Sequence, residues 1–421
     1  MSSGQRKIYI YAHWVGMENP ECMGVLTATP VRGKEIFSFS YNAEWLKTEN
    51  RYIMDPDLQY YTGPQYTKSN TSNFGIFMDS SPDRWGRVLM KRREALYAEI
   101  ENRPEKRLLE SDFLLGVFDE NRMGALRFKI EPDGDYLDNN SSHSAPPWAS
   151  IRDLEYASLK LEKAGSEKNP NYHAWIDMLI APGSSLGGAR PKAGIIDNEN
   201  NLWIAKFPSN NDDRDMGAWE MVAHELAVKS GIDVPLCKAE KFSSPYHTFL
   251  TKRFDRTSCN RRLHFASAMT MLGYRDGDNA DTGVSYLELV EFLIRHGAKT
   301  THDLKELWRR IIFSICISNT DDHLRNHGFI LTENGWILSP AYDINPSPHG
   351  YGLSLNISET DNRLDTDIAL KVAHYFRVDQ NEGKLIIDEI ESIVQQWPVI
   401  ADTYHLSERE KQAMRTAFRT K

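Results

Sequence analysis

The run Asn319-Thr320-Asp321-Asp322-His323-Leu324-Arg325-Asn326 is followed by two short apolar runs, Gly328-Phe329-Ile330-Leu331 and Trp336-Ile337-Leu338, on either side of Thr332-Glu333-Asn334-Gly335. Apolar runs flanking an Asn-Gly pair predict a β-hairpin. Such a hairpin returns the chain so that Asp343, within Ser339-Pro340-Ala341-Tyr342-Asp343-Ile344-Asn345-Pro346, lies beside Asn326, where both could reach one metal ion. Upstream, Leu304 to Ser318 has a helical period and leads into the loop. Moving a phosphoryl group requires a carboxylate to accept the hydroxyl proton, and an amide with a second carboxylate to hold magnesium on the phosphates. Asp321, Asn326 and Asp343 fit these three roles. The Asp-x4-Asn spacing is that of a protein-kinase catalytic loop, although His-Arg does not precede the Asp here.

Composition narrows the class. A chain of 421 residues can bury a core and hold two or three domains. Its 40% hydrophobic and 26% charged content is that of an ordinary globular protein, which argues against long disordered stretches. A net charge of -9 argues against a general nucleic-acid-wrapping surface and leaves only local basic clusters such as Lys91-Arg92-Arg93. Cys22, Cys237, Cys259 and Cys316 are scattered without a Cys-x-x-Cys pair, which points to a reducing cytoplasm. There is no run of 18 apolar residues, and the N-terminus leads into alternating Ile8, Tyr9, Ile10 and Tyr11, so neither a membrane span nor a signal peptide is expected. Asp138 to Ser144 with Pro146-Pro147 reads as a surface linker.

A second constellation is Ser184-Ser185-Leu186-Gly187-Gly188-Ala189-Arg190-Pro191-Lys192. Small residues let backbone N–H groups approach phosphates closely. The following residues read as strand, turn and strand: Ala193-Gly194-Ile195-Ile196, Asp197-Asn198-Glu199-Asn200, then Leu202-Trp203-Ile204-Ala205-Lys206-Phe207. Lys206 in the second strand could reach nucleotide phosphates, and Glu220 on the next predicted helix could pair with it, as the strand lysine and helix glutamate do in kinases. Gly183-Ser184-Ser185-Leu186-Gly187 also satisfies the serine-hydrolase elbow pattern. That elbow must lead into a helix, whereas this loop leads into a strand. His323 and His327, four apart, have no acid between them at the metalloprotease position, so a zinc pair is disfavoured.

With these motifs in hand, the chain resembles the HipA family of serine/threonine kinases, the toxin half of bacterial HipBA-type toxin–antitoxin modules. The resemblance rests on Ser185 to Lys192, Ile204-Ala205-Lys206-Phe207-Pro208, Lys252-Arg253-Phe254-Asp255-Arg256, Thr320 to Asn326 and Tyr342-Asp343. It extends forward to Gly24-Val25-Leu26 and to Phe74 through Arg87. It implies Asp321 as proton acceptor and Asn326 and Asp343 as magnesium ligands. Nucleotide contacts are implied at Gly187, Gly188, Ala189, Arg190, Lys192, Lys206 and His323, and an adenine-holding segment at Lys252, Arg253 and Phe254. Ser185 matches the serine that family members autophosphorylate, where a dianion would compete with the nucleotide for the same donors. Leu263 to Thr282, with His264 and Arg275 to Asp281, matches only loosely and would border the substrate.

The expected architecture is α+β and two-lobed, protein-kinase-like. A β-rich accessory domain spans 8–135, a small lobe with the Gly-rich loop 150–255, and a helical large lobe 256–421. The expected activity is ATP- and Mg2+-dependent phosphorylation of a protein Ser or Thr in the cytoplasm. The resemblance further implies a HipB-like helix-turn-helix antitoxin as partner, DNA contact only through that antitoxin, no membrane, and an aminoacyl-tRNA synthetase as a target class. A kinase-like interaction protein without catalysis and a small-molecule kinase are the alternatives.

Overall fold

The alternation at Ile8 to Tyr11 forms β1 (Arg6–Ala12), which buries Ile8, Ile10 and Ala12 and leaves the intervening tyrosines half-exposed. The computed structural model describes residues 4–48, 52–68, 71–138, 145–180, 188 and 190–420. Two units divide the chain. The first comprises Met1–Asn211, Phe242–Ser244 and Asp255–Ala266, and the second Asp212–Lys241, Pro245–Phe254 and Ser267–Lys421.

In the first unit, β2 (Glu21–Val31), β3 (Lys34–Tyr41), β4 (Gln65–Tyr66) and β5 (Leu126–Lys129) join β1 in an antiparallel sheet of order β4-β3-β2-β1-β5. The helix Arg84–Ile100 begins where Asp83 accepts a bond from Gly86 N at 2.7 Å, satisfying a backbone donor that the helix itself leaves orphaned. β6 (Lys192–Ile196) and β7 (Leu202–Lys206) form the strand, turn and strand read from the sequence, with Lys192 opposite Lys206. Their turn is held by Asp197, which accepts from Glu199 N, Asn201 N and Trp203 Nε1. Pro146 O accepts from Ile196 N at 2.9 Å, so the Pro-Pro end of the expected linker is drawn onto this hairpin. Residues 139–144 lie outside the described residues.

Asp255 and Arg256 belong to the first unit. The buried Asp255 carboxylate accepts from Gly124 N at 2.8 Å and pairs with Arg256 Nη1 at 2.6 Å, while Arg256 Nη2 donates to Arg122 O at 2.8 Å. These two residues of the Lys252 to Arg256 motif therefore tie the chain to the turn before β5. His264, in the segment expected to border the substrate, lies buried in this unit, stacked on Trp14 with ring centroids 5.3 Å apart, and burial pushes its pKa down to about 3.

The second unit is mainly helical. Helix Met216–Lys229 packs on the hairpin of β8 (Cys237–Glu240) and β9 (Thr248–Lys252) through Met221, Cys237 and Phe249, and helix Thr300–Cys316 packs with Tyr286–His296 and Gln380–Val394, with Trp308, Phe313 and Trp336 fully buried. Trp308 Nε1 donates to Ala369 O at 3.1 Å, as an indole N–H in a core must find an acceptor. Helix Thr300–Cys316 is the one expected before the catalytic loop, and its buried Asp303 accepts from Leu338 N at 2.9 Å, fastening the hairpin that follows the loop.

The helix carrying Glu220 depends on Asp215. Its Oδ1 accepts from Ala218 N at 3.1 Å and from His247 N at 2.9 Å, and its Oδ2 lies 2.6 Å from His247 Nδ1. Asp215→Ala strands three partners at once, so urea unfolding should show a loss of about 3 kcal/mol, above the ~1 kcal/mol of an ordinary cap. A loss no larger than an ordinary cap would mean that His247 finds another partner.

Candidate active site

Strands Gly328–Thr332 and Gly335–Leu338 pair antiparallel, Phe329 opposite Leu338 and Thr332 opposite Gly335, so the predicted hairpin forms. Its turn residues are Glu333 and Asn334, the centre of the expected Thr332-Glu333-Asn334-Gly335 turn. Gly335, at φ +122°, is the first paired residue, pressed against His296 O where a Cβ would sit at 2.7 Å. The hairpin returns the chain as expected: Tyr342 Oη donates to Arg325 O at 2.7 Å, joining the residue before Asp343 to the residue before Asn326. Asn345 N also bonds to Asn319 Oδ1 at 3.3 Å. A cavity of about 20 Å3 between the two segments is lined by Asn319, Asp322, Asn326, His327 and Tyr342.

Within the loop, Asp321 projects its side chain to solvent, 81% exposed, while its backbone oxygen accepts from His323 N at 3.0 Å and from Asn326 Nδ2 at 2.8 Å. The buried Asn326 amide is thereby oriented, its nitrogen turned to Asp321 and its oxygen to the opposite side. His323 Nε2 lies 3.8 Å from Asp321 Oδ1. Asp343 is half-buried at φ +58° and accepts from Asn345 Nδ2 at 3.3 Å. Ser318, where the helix gives way to the loop, is fully buried at φ +50°. Left-handed backbone at residues other than glycine costs on the order of 1–3 kcal/mol and persists where surroundings over-determine it. Ser318 is held by Arg419, whose Nε donates to its Oγ at 2.9 Å and whose backbone N bonds to Cys316 O at 2.7 Å.

Beneath the loop lies a group that sequence reasoning missed. Asp322 is buried between His327, whose Nε2 stands 2.7 Å from Oδ1 off the line of a good hydrogen bond, and the buried Tyr286, whose hydroxyl donates to Oδ2. Burial alone would push the Asp322 carboxyl up, but His327, the Tyr286 hydroxyl and His323 together hold it below the usual aspartate range. Burial beside that carboxylate pushes the Tyr286 hydroxyl well up, so it stays a donor. The Asp-Asp-His run was a visible signal for Asp322. Tyr286 had none, since only the packing of helix Tyr286–His296 brings it there. His327 is engaged by Asp322 rather than paired with His323.

Of the remaining expected residues, Lys206 ends β7 half-buried in the first unit, and Glu220 is buried in the second. Lys252 ends β9, Arg253 is buried, and the Phe254 ring packs on Tyr342 with centroids 5.4 Å apart, adjoining the Asp343 segment. Gly188 and Arg190 are described, whereas Ser185, Gly187 and Ala189 lie outside the described residues. Lys192 is buried in a pair with Asp83. Arg275 to Asp281 is largely exposed in the second unit, and Asp276 stands 3.6 Å from Arg325 of the catalytic loop.

Residues 184–397 match the family model described as the HipA-like C-terminal domain. Over 194 residues the chain is 27% identical to a Haemophilus influenzae protein named "Putative kinase", covering 41% of this chain and 56% of that protein. Over 266 residues it is 26% identical to "Putative kinase Y4dM" of Sinorhizobium fredii, covering 59% and 57%. The chain thus spans little more than half the length of the curated relatives it matches. It is also similar to a chain in the Shewanella oneidensis MR-1 complex of HipA, HipB and operator DNA. The TM-score is 0.62 at 17% identity, over 97% of this chain and 94% of that one, and the likeness is one of fold. The expected α+β, HipA-like architecture is therefore the one observed. No helix among the described residues is long and apolar enough to cross a membrane.

The Asp322 carboxyl has a folded pKa below its ordinary value of 3.8, so the stability it contributes is fully present above that value and is lost as pH falls through the lower, folded one. Asp322→Asn should therefore cost more than about 1 kcal/mol at neutral pH, with the gap to the parent closing as pH is lowered below about 4. Thermal unfolding of both proteins from about pH 3 to about pH 7 checks this, and a gap independent of pH would remove the ionised carboxylate from the explanation.

Proposed function

The chain belongs to the HipA-like family, and from that premise we propose that it is an ATP- and magnesium-dependent kinase acting on a Ser or Thr of a protein. The observation that carries this reading is the bond from the Asn326 amide to Asp321 O, in a loop fastened to the Asp343 segment by Tyr342. These two bonds support a reading in which Asp321 accepts the proton and Asn326 and Asp343 offer oxygen donors.

Oxygen donors suit a hard cation. Asn326, its amide oxygen turned from Asp321, and Asp343, a half-buried carboxylate, are such a pair, so the residues fit magnesium. When bound, magnesium neutralises charge developing on the transferred phosphate. The exposed Asp321 carboxylate orients the substrate hydroxyl and takes its proton, and the backbone bonds to its carbonyl keep that carboxylate aimed outward. Lys206 contacts the nucleotide phosphates, and Glu220 is the helix glutamate of the kinase pattern; Arg190, Gly188 and the neighbouring loop residues line the phosphates. Lys252, Arg253 and Phe254 hold the adenine, and His323 stands near the phosphates. The accessory domain at 8–135, the small lobe at 150–255 and the large lobe at 256–421 are the functional division that goes with these roles. Ser185 is the proposed site of self-inactivating autophosphorylation. A HipB-like helix-turn-helix protein is the proposed partner, in keeping with the Shewanella complex whose fold the chain shares, and DNA is reached only through it.

Incubation with Mg-ATP followed by intact-mass spectrometry tests the reading. The parent should gain one phosphate mapping to Ser185, and Asp321→Ala should transfer phosphate at least roughly 10²–10⁴-fold more slowly while still binding ATP. Equal rates would remove Asp321 from the mechanism. Transfer to metabolites instead of proteins in a lysate would favour the small-molecule reading, and ATP binding without any transfer the interaction-protein reading.

A further inference from the structure

Lys192 and Asp83 meet in the interior of the first unit. The Lys192 ammonium lies 3.1 Å from Asp83 Oδ2, and the two side chains are only 3% and 2% exposed. The other carboxylate oxygen, Oδ1, caps the helix Arg84–Ile100 through Gly86 N. The ammonium also lies near Gly188, which has φ +98° and where a Cβ would sit 3.4 Å from Lys192 Nζ. Lys192 is also the cross-strand partner of Lys206, at the end of the β6/β7 hairpin where Phe207 N bonds to Pro191 O at 2.9 Å. Two lysines directly opposed on neighbouring strands repel each other. A buried ion pair is on average no more stable than an apolar pair of similar volume, so stability alone does not account for a cation kept here. A polyanion bound at the hairpin end would use both ammonium groups, and a fixed carboxylate behind one of them holds it at the turn in advance.

We propose that Asp83 is a positioning residue for the nucleotide phosphates, acting through Lys192. This rests on the kinase reading above, which assigns phosphates to the Gly-rich turn, and adds a residue from the start of helix Arg84–Ile100, far from the turn in sequence. The two oxygens of Asp83 have separable tasks. Oδ1 caps the helix, a task asparagine performs as well, while Oδ2 carries the charge that holds Lys192.

The test is titration of the full chain with Mg-ATP and, separately, with adenosine, which has no phosphate. Asp83→Asn should weaken Mg-ATP binding by at least about tenfold, leave adenosine binding unchanged, and keep the helix. A structural role alone would weaken both ligands or neither. Unchanged ATP affinity overturns the proposal, as does tighter ATP binding, since the carboxylate would then be a competitor of the phosphates. Should Asp83→Asn unfold because Lys192 is left buried without a counter-charge, the double variant Asp83→Asn, Lys192→Gln carries no such charge. It should bind Mg-ATP as weakly as Lys192→Gln alone, and a further loss would show that Asp83 does not act through Lys192. If the parent itself binds neither ATP nor adenosine, the kinase reading fails and the proposal with it. If the parent binds ATP and Asp83→Asn matches it, this inference alone fails.

Discussion

Asp322 holds the Asp321-to-Asn326 loop from beneath, and the geometry above it depends on that anchorage. A buried carboxylate is costly to keep ionised unless neighbouring groups repay its lost hydration. Here the His327 ring and the Tyr286 hydroxyl do so from two directions, one from the end of the loop and one from a helix remote in sequence. With the residue after Asp321 fixed inside, Asp321 itself is left at the surface, its carbonyl engaged and its carboxylate outward. The same loop is secured at its start by Arg419 on Ser318 and at its end by Tyr342 on Arg325. A proton acceptor used in phosphoryl transfer must be held in place before the reaction, because positioning and electrostatics supply most of the rate.

The first unit shows the same economy at its own candidate anion site. One carboxylate, Asp83, both starts a helix and neutralises a buried lysine at the Gly-rich turn. Asp255 likewise bridges a backbone amide and an arginine in the interior. In each case a buried charge is paired and the same carboxylate also accepts a backbone N–H, as a low-dielectric interior demands. The Lys252 to Arg256 motif illustrates the consequence: Lys252 to Phe254 belong to the second unit, with Phe254 adjoining the Asp343 segment, while Asp255 and Arg256 lock into the first.

Family membership and fold agree with the residues that first suggested them. The matched model covers the Gly-rich loop, both hairpins and the catalytic loop. The likeness to the Shewanella HipA chain extends over nearly the whole length, including the N-terminal sheet, where sequence signals were sparser.

Local pattern was enough for the elements around the site. Alternation marked β1, the apolar runs marked the catalytic hairpin and β6/β7, and the helical period marked Thr300–Cys316, because each is set by periodicities of two or 3.6 that neighbouring residues carry themselves. The return of the Asp343 segment to the Asp321-to-Asn326 loop was legible for the same reason, since one hairpin joins the two. The approach of His296 O, which makes Gly335 the position that needs glycine, is invisible in the local sequence. What no local pattern could reveal was pairing across long separations. Tyr286 reaches Asp322, Asp83 reaches Lys192, Arg419 reaches Ser318, and His264 withdraws from any surface to stack on Trp14. Those partners are chosen by the need to satisfy buried charge and polar groups within a packed interior, a requirement that exists only once the chain has folded.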